Sequence, residues 1–303
     1  MKKVLVLYYS QSGQLRDVVN SFISELPDSQ IQVDLKAIEP VQKYPFPWKF
    51  YEFAQEFPEA VLLEGHEVKE LESLEDDYDL IILGYTIWFL APASPIVGFL
   101  QSEQAKKIFK NKPVITLIAC RDMWVMAQEK MKVLLGDLDA QLIDNVALTD
   151  QGKGIYSFIT TPKWLMTGSK EPFWFFPPAG ILQSDIDNAS RFGKRLNTVL
   201  KEDKEKEGKP LLDNLEAVNV NGKLIASEII ATRSSKVWAK IIKFFGEKNT
   251  FGRKFAVTIY SMFLVVLVFT IVPLNILIRK IINKFQNEKL LELEKKYEQP
   301  SGR

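Results

Sequence analysis

Apolar and polar positions along the chain follow two alternating periods. Val4–Leu7, Tyr78–Leu83 and Pro113–Ala119 are short runs that are apolar almost throughout, with two further runs at about 30–38 and 142–148. Runs of this length, rich in β-branched and aliphatic residues on both faces, mark strands buried inside a parallel sheet. Between them the spacing lengthens. Leu15, Val18, Val19, Phe22, Ile23 and Leu26 share one face of a helix over 14–26, closed by Pro27. Helical patterns recur near Ser94-Pro95, at 124–135 and at 182–200. Five strands alternating with helices predict a doubly wound α/β domain over 1–200.

Two segments break the alternation. Residues 40–63 carry Tyr44, Phe46, Trp48, Phe50, Tyr51, Phe53 and Phe57 among four prolines. They are read either as packing over a sheet edge or as one wall of an apolar pocket. Residues 150–180 form a long loop with Gly152, Gly154 and seven aromatics from Tyr156 to Phe176. So many rings are not left in water, which predicts packing on a cofactor face, a partner or a membrane.

Beyond residue 200 the pattern changes again. The charge run 201–210 ends the domain, and Asn221-Gly222 between apolar arms predicts a small hairpin over 217–225 within a linker at 201–233. Residues 234–247 set Val237, Trp238, Ile241 and Phe244 against Lys236, Lys240 and Lys243, the make-up of an interfacial amphipathic helix. Phe255–Ile278 then has no charged residue. At 1.5 Å per residue it spans about 36 Å, more than a hydrocarbon core of about 30 Å, and predicts a membrane helix with Pro273 near one end. Arg253 and Lys254 before it and Arg279, Lys280 and Lys284 after it leave the orientation open. The first strand begins at the N-terminus with no secretory leader in front of it. The expectation is therefore a domain on the cytoplasmic face of the inner membrane, a single span, and the tail 287–303 on the far side.

Composition adds mainly exclusions. Lys and Arg number 39 against 38 Asp and Glu, a net charge of +1, so no field points to nucleic acid. Cys120 is the one cysteine and His66 the one histidine, so no intramolecular disulfide and no metal site is expected. His66, in a polar run, is read as uninvolved.

The chemistry gathers where strands end. After the first strand, Ser10, Gln11, Ser12, Gly13 and Gln14 lead into a helix, so hydroxyls and amides converge on a phosphate-sized space. The plain alternative is that the serines cap the helix and the glycine makes the turn. After the third strand come Gly84, Tyr85, Thr86, Ile87 and Trp88, suited to meeting a flat ring or to packing on the core. After the fourth come Cys120, Arg121 and Asp122.

The stretches Val6–Gln14 and Asp79–Trp88 resemble the two principal FMN-binding loops of the flavodoxin-like family, over about residues 1–200. The resemblance implies that Ser10, Gln11, Ser12, Gly13 and Gln14 hold the FMN phosphate. Thr86, Ile87 and Trp88 would lie along the isoalloxazine, with Cys120 and Arg121 on its other side. One residue departs from the family, Leu15 standing where a threonine is common. The N-terminal stretch, the aromatic insertions and the C-terminal apolar segment are further similar to the flavodoxin-like proteins of dialkylresorcinol and flexirubin-type pigment biosynthesis. That resemblance implies FMN-dependent aromatisation of a dialkyl cyclohexane-1,3-dione, with a ketosynthase, an acyl carrier protein and a second copy of the chain as candidate partners. Asp122, then Tyr85, is the candidate base for the proton beside the dione carbonyls. A lipid-like substrate would account for aromatic walls and a membrane segment in one chain. A membrane-tethered NAD(P)H-dependent quinone or flavin reductase, and a non-enzymatic scaffold, remain alternatives.

Overall fold

The computed structural model describes residues 1–75, 77–152, 156–271 and 287–301. In chain order the elements are β1 (Lys2–Tyr8), α1 (Gln14–Ile23), β2 (Ile31–Ala37), α2 (Phe50–Gln55), α3 (Phe57–Leu62) and β3 (Leu80–Tyr85). A two-stranded ribbon follows, β4 (Ile87–Trp88) with β5 (Ala91–Pro92), then α4 (Ser94–Leu100), α5 (Glu103–Phe109), β6 (Pro113–Cys120), α6 (Val125–Gly136) and β7 (Gln141–Thr149). The chain continues through α7 (Ser157–Thr167), α8 (Gln183–Asp187), α9 (Ser190–Leu200), α10 (Gly222–Phe244), α11 (Phe251–Val266) and α12 (Asn287–Glu298).

The five long strands form one parallel sheet in the order β2-β1-β3-β6-β7. Without the ribbon this is 2-1-3-4-5, the flavodoxin-like doubly wound order, whose ligands sit at the carboxyl ends of the strands. Successive strand residues point to opposite faces, so each strand feeds two cores. Leu5 and Leu7 meet Tyr85, Phe99 and Trp124 on one side. Val4 and Val6 meet Phe22, Phe192 and Leu196 on the other. Each such side chain, fully buried, contributes roughly 1.5–3 kcal/mol.

The domain runs past residue 200. Glu205, 1% exposed, pairs with Lys2 at 2.5 Å. Leu211, Leu212 and Ala217 enter one core, and Val218, Val220 and Ile225 the other. The predicted hairpin is a helix start instead. Asn221 Oδ1 accepts from Lys223 N at 3.1 Å and caps α10, whose second half is the predicted amphipathic helix. An Asn-Gly pair makes a hairpin only between two strands, whereas a lone asparagine before a helical pattern is a good cap. The segment 150–180 is likewise no plain loop, since it contains α7.

Near the C-terminus, Phe251–Thr270 is long and apolar enough to cross a membrane, with mean hydropathy 1.6 over 20 residues. The last part of the predicted span, 272–278, lies outside the described residues, as do Arg279, Lys280 and Lys284. α12 packs back on the α/β domain. Glu294 Oε1 accepts from Gly222 N at 2.9 Å, and Ser301 Oγ, 2% exposed, lies 2.9 Å from Asp144 Oδ1 on β7. A chain that crossed the membrane once would put these residues on the far side. Among the described residues the tail, expected on the far side of a single span, rests on the α/β domain.

Candidate functional site

The loop after β1 turns at Gly13, φ +88°, a conformation that costs other residues about 1–2 kcal/mol. Its helix start is short of acceptors. Arg16 N donates to Ser10 Oγ at 3.2 Å and Asp17 N to Gly13 O at 3.1 Å, while the amides of Ser12, Gly13, Gln14 and Leu15 find no acceptor among the described residues. Unpaired first-turn amides at the positive end of a helix form an anion cradle. A Cβ placed on Gly13 would meet Arg16 Nη2 at 3.7 Å, so the guanidinium folds back over this loop. Ser10 thus serves as a cap and Ser12 stays half-buried. Gln11 Nε2 donates to Pro45 O at 2.8 Å. Gln14 is 7% exposed, and its Oε1 accepts from Ile181 N at 3.3 Å, which leaves only its amide to the cradle.

After β3 the chain passes very close to β1 and α1. A Cβ on Gly84 would sit 3.1 Å from both Tyr8 Cβ and Val19 Cγ2. Tyr85 is fully buried, and its hydroxyl donates to Gln128 Oε1 at 2.5 Å. Gln128 Nε2 donates to Thr116 Oγ1, and Thr116 Oγ1 to Asn145 Oδ1, both at 2.9 Å. Burial lifts the phenol well above its ordinary pKa. Tyr85 is thereby withdrawn from the role of base, because its proton is committed to a closed internal chain. Thr86 and Ile87 are half-buried on the ribbon. Trp88, 7% exposed, packs edge-on against Tyr9, Tyr44 and Trp48, with centroids 6.0, 5.0 and 5.8 Å away. It belongs to the core as much as to any ring site.

At the end of β6 the Cys120 thiol donates to Arg121 O at 2.9 Å, and burial pushes its pKa up. The Arg121 guanidinium lies 3.9 Å over the Phe158 ring; burial holds its pKa below the usual arginine value, against the pull of Asp122 and Asp150. Asp150 accepts from Gly152 N and Gly180 N, both at 2.6 Å, and burial raises it. Asp122 stands half-buried in this group. Behind the loop, Glu228 Oε1 on α10 accepts from Met126 N at 2.8 Å, and burial pushes Glu228 up to about 7. Lys130, also buried, is pulled down to about 8. Neither Glu228 nor Lys130 stood out in the sequence: Glu228 falls in the stretch read as linker, 201–233, and Lys130 in the helix predicted at 124–135.

The two aromatic insertions meet over these strand ends. Trp48 N donates to Leu165 O at 2.8 Å, and Phe46 stands edge-on to Trp164 at 6.2 Å. Gln11 joins this cap to the loop after β1 through Pro45. His66, expected to be uninvolved, stacks on Tyr44 at 5.6 Å and bonds its hydroxyl through Nδ1. Its Nε2 is 3.5 Å from Glu56, which also takes Lys248 at 2.8 Å. The signal for this cluster was faint: lone polar residues scattered through an aromatic run.

No known family profile matches the chain, and no curated protein does. Among solved structures it is similar to a flavoprotein in complex with FMN from Lactobacillus acidophilus, at 24% identity and TM-score 0.39, over 48% of this chain and 93% of that one. It is similar to a flavodoxin from the domain Archaea at 9% identity and TM-score 0.37, over 66% of this chain and 99% of that one. Oxidised flavodoxin 1 from Bacillus cereus aligns at 13% identity and TM-score 0.35, over 63% of this chain and 95% of that one. The flavodoxin-like strand order rests on the sheet itself.

Proposed function

We propose that this protein is a membrane-associated, FMN-dependent oxidoreductase that aromatises an apolar cyclic substrate, a dialkyl cyclohexane-1,3-dione, to a dialkylresorcinol. The observation that carries the FMN reading is the cradle at residues 12–16. Amides without acceptors, a left-handed glycine and a guanidinium folded back over the loop suit a phosphate dianion. Arg16 supplies there the charge that compensates for the hydroxyl missing at Leu15. Thr86–Trp88 and Cys120–Asp122 are the loops that would border the ring.

FMN, when bound, supplies a two-electron acceptor for a hydride from a ring carbon. The chain's own residues supply the rest. The Asp122 carboxylate is the candidate acceptor for the proton beside the two carbonyls, and Arg121, stacked on Phe158, holds positive charge next to it. The cap from Tyr44 to Trp48 and Trp164 keeps water from the strand ends and offers rings to alkyl tails. The dione itself comes from the resemblance of the N-terminal stretch and insertions. Purification in mild detergent tests the first step, with flavin absorbance expected and a colourless protein that takes up no added FMN refuting it. Anaerobic addition of a dialkyl cyclohexanedione should bleach the flavin. Bleaching by NAD(P)H instead would replace the aromatase with a quinone or flavin reductase.

A further inference from the structure

The two flanks of the apolar C-terminal segment are fastened to the same α/β domain. At its start, Arg253 is fully buried and ion-paired to Glu59 Oε2 at 2.5 Å, with Nη2 also donating to Gln55 O at 2.8 Å. Ala256, Val257 and Tyr260 follow on the same helix face and pack with Phe57 and Val61 of α3. At its end, Leu293 and Tyr297 of α12 pack against the main core, and Ser301 lies between Asp144 Oδ1, 2.9 Å away, and the Asn145 carbonyl, 3.0 Å away. Whatever course residues 272–286 take, the chain returns to the body it left.

Among the described residues little protein covers the opposite face of α11, where the Tyr51 hydroxyl meets Thr258 Oγ1 at 3.1 Å. Phe251, Phe255, Met262, Val266 and Phe269 are 86, 53, 65, 59 and 58% exposed. The first four, spaced four, seven and four residues apart, lie on one side of the helix, 100° per residue, opposite Arg253, Val257 and Tyr260, and Phe269 follows in the π-helical turn Leu267–Ile271. Phe244, at the end of α10, is 87% exposed, and Lys240 and Lys254 are exposed as well. An exposed apolar helix face with exposed lysines on the same two helices suits the acyl and headgroup zones of a lipid surface. The inner face of the same helix is held by protein, so lipid does not surround it.

We infer that the apolar face of α11 and the end of α10 seat the protein on one leaflet of a bilayer as a monotopic contact, with the α/β domain and the C-terminal tail on the same side. The inference rests on the membrane association proposed above and replaces its single span. Its test uses the full chain in sealed membrane vesicles of known orientation, with a membrane-impermeant maleimide and the wild type as blank for Cys120. Lys43→Cys on the domain and Lys295→Cys on the tail, both exposed positions, are expected to label in the same vesicle orientation and to equal extents. Labelling of Lys295→Cys from the opposite face only would overturn the same-side topology. Replacing Phe251, Phe255 and Met262 together by serine is expected to lower the membrane-bound fraction on the order of tenfold. A wild-type protein that stays in the supernatant without detergent would overturn the bilayer as the occupant, while its flavin spectrum would still report on the FMN site.

Discussion

Glu228 is the buried acid whose titration the fold controls most directly. It is 1% exposed on α10 and meets the first amides of α6, just after the loop Cys120–Asp122. Burial raises its pKa from 4.5 to about 7, the amide bonds and Lys130 offsetting only part of the penalty. A group whose folded pKa is raised favours the fold below its unfolded pKa and loses that contribution as pH climbs through the folded one. Between pH 5 and pH 8 the penalty for carrying Glu228 should therefore grow from below about 1 kcal/mol to about 3 kcal/mol, at 1.36 kcal/mol per pKa unit. Lys130 titrates near 8 and stays charged through most of that window, so it adds little slope there. Glu228→Gln keeps the acceptor oxygen and removes the charge. Denaturant unfolding of both proteins in the same detergent, at pH 5 and pH 8, should show the variant gaining about 2–3 kcal/mol on the wild type as pH rises. A difference that does not move with pH would refute the buried, protonatable Glu228.

Two further substitutions probe the cradle and the C-terminal dock. Gly13→Val should cost about 1–2 kcal/mol in stability, because φ +88° is left-handed, and should weaken FMN uptake roughly a hundred-fold by disturbing two charge-assisted contacts. Flavin titration by absorbance reads it, and unchanged uptake would remove the phosphate from this loop. Glu59→Ala leaves Arg253 buried without its partner, at about 3–5 kcal/mol. Faster tryptic cleavage at Arg253 and Lys254 should follow, and an unchanged digest would mean that α11 does not depend on that pair.

The sheet was legible because its strands are apolar on both faces and its first helix is cleanly two-sided, so local pattern and tertiary packing agree. Val4 to Leu7 read correctly for that reason, as did the turn at Gly13. The misreadings share a different physics. Asn221-Gly222 carries a hairpin signal that only a partner strand could realise, and the helix took the asparagine as its cap. Tyr85 follows a strand as a reacting residue would, yet its hydroxyl is consumed by Gln128, which lies on another element. The polar tail was expected on the far side of a membrane, because nothing in its sequence announces that Ser301 would meet Asp144. In each case the deciding partner is far away in the chain.

The parts that were hard to read turn out to be the ones that join the candidate site to α11. Tyr260 of α11 packs on Phe57 at 4.2 Å, Phe57 on Phe89 at 5.3 Å, and Phe89 on Phe53 at 4.7 Å. Phe53 meets Trp48 at 5.7 Å, and Trp48 and Tyr9 both meet Trp88, Tyr9 being next to the loop after β1. Close-packed rings transmit displacement, since interiors leave little free volume to absorb it. The helix proposed to rest on lipid and the loops proposed to hold a flavin are therefore parts of one packed body. If α11 seats on a bilayer as proposed, the first insertion, residues 40–63, and α11 set its distance from the strand ends. An alkyl-tailed ring reaching the strand ends from the membrane would meet this aromatic wall along its way, which gives the insertion a role that packing over a sheet edge alone does not explain.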